Sequence, residues 1–196
     1  MARANPRRIR GSWREGYCLD FHTLTSTYVG DDEFGRPQFD TVRSEVGELL
    51  YRLKYRSDRS VVEELVETAA AFVQSWNPGV TEIVPVPPSR QRPTQPVLVL
   101  AEQIAGRLGL AYLPNAVSRV RDVPELKNLY DYEERLAILA EAHTAARAEV
   151  QGQSVLLFDD LYRSGATMDA VTSALLDQGR AAAVFALAIT RTRSRT

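Results

Sequence analysis

Residues 155–167, VLLFDDLYRSGAT, restrict the fold more than any other stretch of the chain. Val155, Leu156, Leu157 and Phe158 form an unbroken apolar run. Such a run fits a strand covered on both faces, as in a parallel sheet, rather than one with a wet face. It ends in two carboxylates, Asp159 and Asp160, and Ser164-Gly165-Ala166-Thr167 then opens a helical pattern. A small, hydroxyl-bearing turn that enters a helix aims backbone N–H groups and the helix N-terminus at one point, which suits a phosphate. The two acids repel such an anion and instead suit hydroxyls or a magnesium ion. Phosphate beside hydroxyls describes a ribose phosphate. The plainer reading is a buried strand followed by a capped helix, but a spare acid pair at a strand end needs a partner.

Strand-like and helix-like stretches alternate through the rest of the chain. Residues 17–29 are rich in Tyr, Phe, Thr and Leu and read as a strand; after the turn at residues 30–35, residues 38–41 return as the second arm of a hairpin. Val42, Val46, Leu49 and Leu53 then lay an apolar stripe on a helix. Ser60-Val61-Val62-Glu63 has the form of a capping box, and Asn77-Pro78-Gly79 stops the helix it opens. A strand is expected over 80–87, where Pro85 and Pro87 mark its end. Pro96 fits the first turn of the next helix and Gly109 its close. A short strand is read over 116–120, a loop over 121–133, and a helix over 133–146. After the 155–167 signature come a helix to Gln178 closed by Gly179 and a last strand, AAAVFALAIT. This alternation predicts an α/β fold, a central mostly parallel sheet with helices on both faces, preceded by an N-terminal β-hairpin. Four segments are expected: a mobile basic arm over 1–15, the hairpin over 16–41, the main domain over 42–190, and a basic tail over 191–196.

In open parallel sheets, ligands gather at the carboxyl ends of the strands. The turn after the 80–87 strand, Pro88-Ser89-Arg90-Gln91-Arg92, should therefore lie beside the signature turn. Its Arg90 and Arg92 offer guanidinium forks that match the oxygens of a multiply charged anion, with Ser89 adding a hydroxyl.

A hydrophobic fraction of 44% with 25% charged residues is globular rather than disordered. The net charge of −1 gives no global basic field for nucleic acid. Arginines do crowd both ends, and solvated tails account for them more simply than a nucleic-acid grip. Cys18 is the single cysteine and forms no intrachain disulfide. His22 and His143 have no spaced ligand partners. No run of eighteen apolar residues spans a membrane, and a cytoplasmic protein is expected.

The strand, the acid pair and the loop together resemble the ribose-phosphate signature of the type I phosphoribosyltransferases. The resemblance implies that Asp159 and Asp160 hold the ribose hydroxyls of phosphoribosyl pyrophosphate and serve catalysis. They would also hold magnesium, directly or through water. Residues of the loop, Leu161, Tyr162, Arg163, Ser164, Gly165, Ala166 and Thr167, would wrap the phosphate. Pro88, Ser89, Arg90 and Arg92 would form the pyrophosphate loop, and Arg119, Arg121 and Lys127 would belong to a loop that closes over the reacting centre. IVPVPPSRQRP, YRLKYRSD and ELKNLYDYEERL narrow the likeness to the competence protein ComF branch. That branch usually begins with a cysteine-rich zinc module, in whose place an aromatic hairpin stands here. The hairpin would be the hood over the base, with Tyr17, Phe21, Tyr28, Phe34 and Phe39 as stacking candidates. The implied partners are phosphoribosyl pyrophosphate and a base or nucleotide, with a homodimer as the state family members often adopt.

The resemblance implies transfer of a phosphoribosyl group to or from a nitrogen nucleophile such as a nucleobase, with pyrophosphate leaving. The alternative is a non-catalytic phosphoribosyl pyrophosphate or nucleotide-binding regulator, or a DNA-uptake accessory. A P-loop NTPase would need a Gly-rich loop ending in Gly-Lys-Ser/Thr, and a dinucleotide-binding fold needs G-x-G-x-x-G; neither occurs.

Overall fold

The computed structural model describes residues 1–88, 95–119 and 143–193. In chain order the elements are β1 (Arg7–Arg8), β2 (Glu15–Phe21), β3 (Thr23–Asp31), β4 (Pro37–Arg43), α1 (Glu45–Tyr55), α2 (Val62–Trp76) and β5 (Glu82–Pro85). They continue with α3 (Pro96–Leu108), β6 (Ala111–Tyr112), β7 (Val117–Arg119), β8 (His143–Ala145), the short α4 (Arg147–Val150), β9 (Ser154–Tyr162), α5 (Ala166–Ser173) and β10 (Ala183–Arg191). The main sheet has the order β1-β2-β10-β9-β5-β6. Every pairing in it is parallel except the edge pair β1–β2. This is the expected α/β architecture.

Two apolar layers sandwich the sheet. Leu156 and Phe158 of β9 join Ile83, Leu187 and Ile189 under α1, α2 and α3. Val155 and Leu157 face the other way, with Val84, Ala186 and Ala188, against Met168, Val171, Leu175, Ile9 and Trp13. Each large apolar side chain so buried contributes about 1.5–3 kcal/mol. β9 lies in the middle of the sheet, which is why its apolar run does not alternate with polar residues.

Five sequence expectations change. Residues 1–15 are not a mobile arm: Ala2, Ile9 and Trp13 are buried. Asn5 N–H donates to the Leu19 carbonyl, Ile9 N–H to that of Gly16, and Arg14 N–H to that of Val184. The scattered apolar residues of this segment cover sheet surface that the helices leave open. The strand read over 17–29 breaks at His22: β2 joins the main sheet, whereas β3 pairs with β4 as a separate antiparallel ribbon. Ser60 does not cap α2: Asp58 caps the short 3-10 turn over Arg59–Val61 that leads into it, accepting from Ser60 N–H, and α2 itself starts after Val61 with no side-chain cap among the described residues. The helix read over 133–146 ends in strand, since residues 143–145 pair with β7; residues 133–142 lie outside the described residues. The tail read over 191–196 begins inside β10 at Arg191, and residues 194–196 lie outside the described ones.

Other local readings hold. Pro96 opens α3 and Gly109 closes it with φ 68°. No described helix is long and apolar enough to cross a membrane.

Candidate active site at the carboxyl end of β9

β5 stops pairing at Pro85, opposite Phe158, and Val86 N–H donates the last bond, 2.8 Å, to the Phe158 carbonyl. Pro85 and Pro87 carry no N–H, so the ladder cannot extend on that side. β9 runs on through Asp159 to Tyr162 with, among the described residues, only β10 paired beside it, Asp159 opposite Ala188 and Tyr162 opposite Arg191. The chain leaves β5 towards β6 and leaves β9 towards β10, in opposite directions across the sheet. A crevice opens where connections diverge in this way. The acid pair stands on its rim.

The two acids differ. Asp160 is buried, and Lys54 Nζ of α1 donates to its Oδ1 at 2.7 Å. Strand alternation sends Asp159 towards the opposite face. Asp159 is half-buried and accepts from the Asp160 backbone N–H at 2.7 Å. Burial, and then the charge of Asp160, push the Asp159 carboxyl up to about 7. A carboxyl poised there exchanges protons near neutrality, as a general acid or base must.

α1 is seated to deliver Lys54. Its N-cap Ser44 accepts from Gly47 N–H at 3.0 Å and donates to the Phe21 carbonyl at 2.5 Å. Gly47 lets the helix approach His22 closely; a Cβ there would overlap the His22 carbonyl oxygen. Val46, Leu50 and Leu53 bury the helix's apolar stripe, which leaves Lys54 reaching along the sheet edge.

Beyond Tyr162 the chain turns through Arg163 and Ser164, both exposed, and enters α5 at Gly165 with φ 86°. Added carbon at Gly165 would sit 2.7 Å from the Tyr162 hydroxyl. Glycine is therefore required for conformation and space. No side chain caps α5 among the described residues, so its first-turn amides remain available to an anion. Thr167 is half-buried in that turn.

The candidate residues are not all alike in placement. Leu161 is half-buried opposite Thr190. Tyr162 turns inward: its hydroxyl donates to the Arg10 carbonyl at 3.1 Å and its ring meets Trp13 edge-on. It therefore supports the loop from behind. Pro88 is half-buried just after β5. Arg119 sits on β7 opposite His143, in a small ribbon apart from the main sheet. Ser89, Arg90, Arg92, Arg121 and Lys127 lie outside the described residues.

Sequence reading missed His22, Thr190 and Arg193. His22 hydrogen-bonds Thr190 Oγ1 at 3.2 Å and lines a cleft of about 400 Å³ with residues 23–26, Thr192 and Arg193. Burial, then Arg43 and Lys54, push the His22 pKa down. The hood aromatics also divide. Tyr17 packs on Phe72 and Trp76 of α2, whereas Tyr28 and Phe39 form an exposed pair on the β3–β4 ribbon. A lone histidine inside a single strand-like run gave no periodic signal.

Among the described residues no three ligand-type side chains gather as a metal cage. The site offers carboxylates singly or in pairs. That donor set fits magnesium carried on substrate phosphates, which needs one or two protein carboxylates.

No family model matches the chain, and no curated protein matches it. Solved structures do. An adenine phosphoribosyltransferase from Trypanosoma brucei, in complex with AMP, pyrophosphate and ribose-5-phosphate, is similar with a TM-score of 0.50 and 12% identity over 94% of this chain and 73% of that one. The allosteric regulatory enzyme of purine biosynthesis is similar with a TM-score of 0.50 and 15% identity, over 88% of this chain and 44% of that one. Another adenine phosphoribosyltransferase has a TM-score of 0.48 and 13% identity, over 84% of this chain and 85% of that one. The chain shares the α/β fold of type I phosphoribosyltransferases, and at these identities the likeness is one of fold.

Proposed function

We propose that the chain binds phosphoribosyl pyrophosphate with magnesium at the carboxyl end of β9 and transfers the phosphoribosyl group to or from a nitrogen nucleophile. The observation that carries this reading is the continuous path from a buried central strand, through Asp159 and Asp160, into the uncapped N-terminus of α5. The turn at residues 163–167 would hold the 5′-phosphate. Each hydrogen bond to a charged group contributes about 1.5–3 kcal/mol, so a few suffice for the roughly 8 kcal/mol of a micromolar ligand. The helix dipole adds only about 0.3–1 kcal/mol at an exposed end.

In the transfer, the bond from the anomeric carbon to pyrophosphate breaks and pyrophosphate leaves with the electron pair. The acceptor nitrogen forms the new bond to that carbon and loses its proton. Asp159, poised near 7, would take that proton. Asp160, held by Lys54, would orient the ribose hydroxyls and steady the cationic character that develops at the anomeric carbon. Magnesium carried on the substrate's own oxygens, which the acid pair would hold through water, would supply positive charge against the leaving pyrophosphate and leave the Asp159 carboxyl free to take the proton. The cleft at residues 22–26 and 192–193, under the β3–β4 ribbon, would receive the acceptor.

The Lys54–Asp160 pair also favours a second reading, a non-catalytic phosphoribosyl pyrophosphate sensor or a ComF-like accessory in DNA uptake. An acid already satisfied within the protein binds without needing to react. Calorimetry with magnesium and phosphoribosyl pyrophosphate tests the site. Asp159→Asn with Asp160→Asn should abolish binding while the far-ultraviolet spectrum is unchanged; unaltered affinity removes the assignment. Pyrophosphate release with candidate bases separates the enzyme from the sensor.

A further inference from the structure

We propose that the cleft between residues 22–26 and 192–193 takes an anionic acceptor, a single-ring nitrogen heterocycle that bears a carboxylate or phosphate. This rests on the phosphoribosyl-transfer reading above and specifies its second substrate.

The argument begins with Phe21. Three guanidinium groups surround its ring: Arg7 at 4.7 Å from the centroid, Arg193 at 5.0 Å and Arg191 at 5.7 Å. None of the three forms an ion pair with a described residue. The acid next in sequence, Asp20, is buried and turned to the backbone, where it accepts from Phe21 N–H at 2.7 Å. A ring face attracts a cation by about 0.5–1 kcal/mol at an exposed site, but it neutralises none of them. Like charges gathered this closely repel, so the cluster is stabilised by an anion between them.

One observation ties the cluster to the cleft, and a second shows that the cluster lacks an acceptor. Arg193 lines it directly. Arg191 Nε is a buried donor with no hydrogen-bond partner, and such a group carries a desolvation cost until an acceptor meets it. His22, also in the lining, lies near the cations of Arg43, Lys54 and Arg163 and the carboxylate of Asp160; burial first, and then the cations, push its pKa down and favour the neutral ring. The wall chemistry is therefore a neutral imidazole, threonine and serine hydroxyls, and unpaired guanidinium. A neutral base would leave that charge unanswered. The volume of about 400 Å³ suits one ring and a substituent.

Thr192 N–H bonds the Tyr162 carbonyl at 3.0 Å, so Arg193 stands beside the phosphate turn and could serve that turn instead. The test separates the two. Calorimetry compares orotate with uracil and nicotinate with nicotinamide. Each is added to protein holding magnesium, pyrophosphate and ribose 5-phosphate, in wild type and in Arg193→Gln. Pyridine-3-phosphonate, a stable stand-in for a phosphate-bearing ring, is compared with pyridine as the phosphate arm. The expected result is at least tenfold tighter binding of an anionic member than of its neutral partner, lost in Arg193→Gln while the affinity for magnesium phosphoribosyl pyrophosphate is unchanged. Equal binding by the neutral partners, or binding by no anion, overturns the proposal. So does a loss of phosphoribosyl pyrophosphate affinity in Arg193→Gln, which assigns the arginine to the phosphate turn. Wild-type protein that fails to bind phosphoribosyl pyrophosphate at all refutes the parent reading separately.

Discussion

Lys54 Nζ lies 2.7 Å from Asp160 Oδ1, with the two side chains only 13% and 12% exposed. The pair ties α1 to the carboxyl end of the central strand across 106 residues of sequence. The neighbouring Asp159 feels the Lys54 charge without pairing with it, and burial and the Asp160 charge outweigh that pull, so one carboxylate is fixed and the other is proton-responsive. The proposed phosphoribosyl transfer, which needs one group to grip a sugar and another to exchange a proton, would use that division.

Removing one partner of this pair should be costly. Lys54→Met strands a buried carboxylate, and breaking such a pair costs about 3–5 kcal/mol. For a chain of this size each kcal/mol shifts Tm by about 2–4 °C, so a fall of roughly 6 °C or more is expected. Lys54→Met with Asp160→Asn should recover most of it. Thermal melts of the four proteins form the cycle, and additive losses would show that the two groups do not interact.

Asp159 should give the fold a pH dependence of identifiable sign. Its carboxyl is raised from 3.8 to about 7 in the folded chain, so the native state binds the proton more tightly than the unfolded state. Stability from this group is complete below about pH 4 and is lost as pH rises towards 7. Asp159→Asn cannot ionise, so its Tm relative to wild type should climb across that window. A Tm difference constant from pH 4.5 to 7.5 would mean that the acid is not held protonated.

At Gly165 two requirements coincide, φ of 86° and a Tyr162 hydroxyl 2.7 Å from any added carbon. Gly165→Ala should lower stability by about 1–2 kcal/mol from the backbone alone. It should also displace the turn proposed to receive phosphate. Calorimetry with ribose 5-phosphate should show at least a tenfold weaker Kd. Retained affinity at reduced Tm would place the phosphate elsewhere.

The parts of this architecture that were legible in the sequence are those written locally. β9 announced itself because both its faces are buried, which replaces alternation by a solid apolar run. α3 announced itself through Pro96 and Gly109, whose backbone preferences suit the two ends of a helix. What escaped depends on distant partners. Arginines dominate the composition of residues 1–15, and Ala2, Ile9 and Trp13 are spaced too irregularly to mark a face. Their burial is decided by the sheet they meet. The role of Lys54 escaped for the same reason, since an amphipathic helix offers several cations and only the fold selects one.

The anchoring of the first residues is itself testable. Asp169, buried in the first turn of α5, accepts from Ser12 N–H at 2.6 Å and from Ser12 Oγ at 3.0 Å. This carboxylate fastens the N-terminal segment beside the turn over residues 163–165, and Trp13 then packs against Tyr162 behind it. Asp169→Ala leaves the Ser12 donors without their acceptor, at a cost of about 1–3 kcal/mol. Trypsin should then cut at Arg10 or Arg14 well before the rest of the chain, because a segment that opens locally is cleaved from its open state. Asp169→Asn keeps one carbonyl acceptor and should fall between. If Asp169→Ala were digested no faster than wild type at these arginines, Ile9 and Trp13 burial alone would hold the segment, and the carboxylate would have no anchoring role.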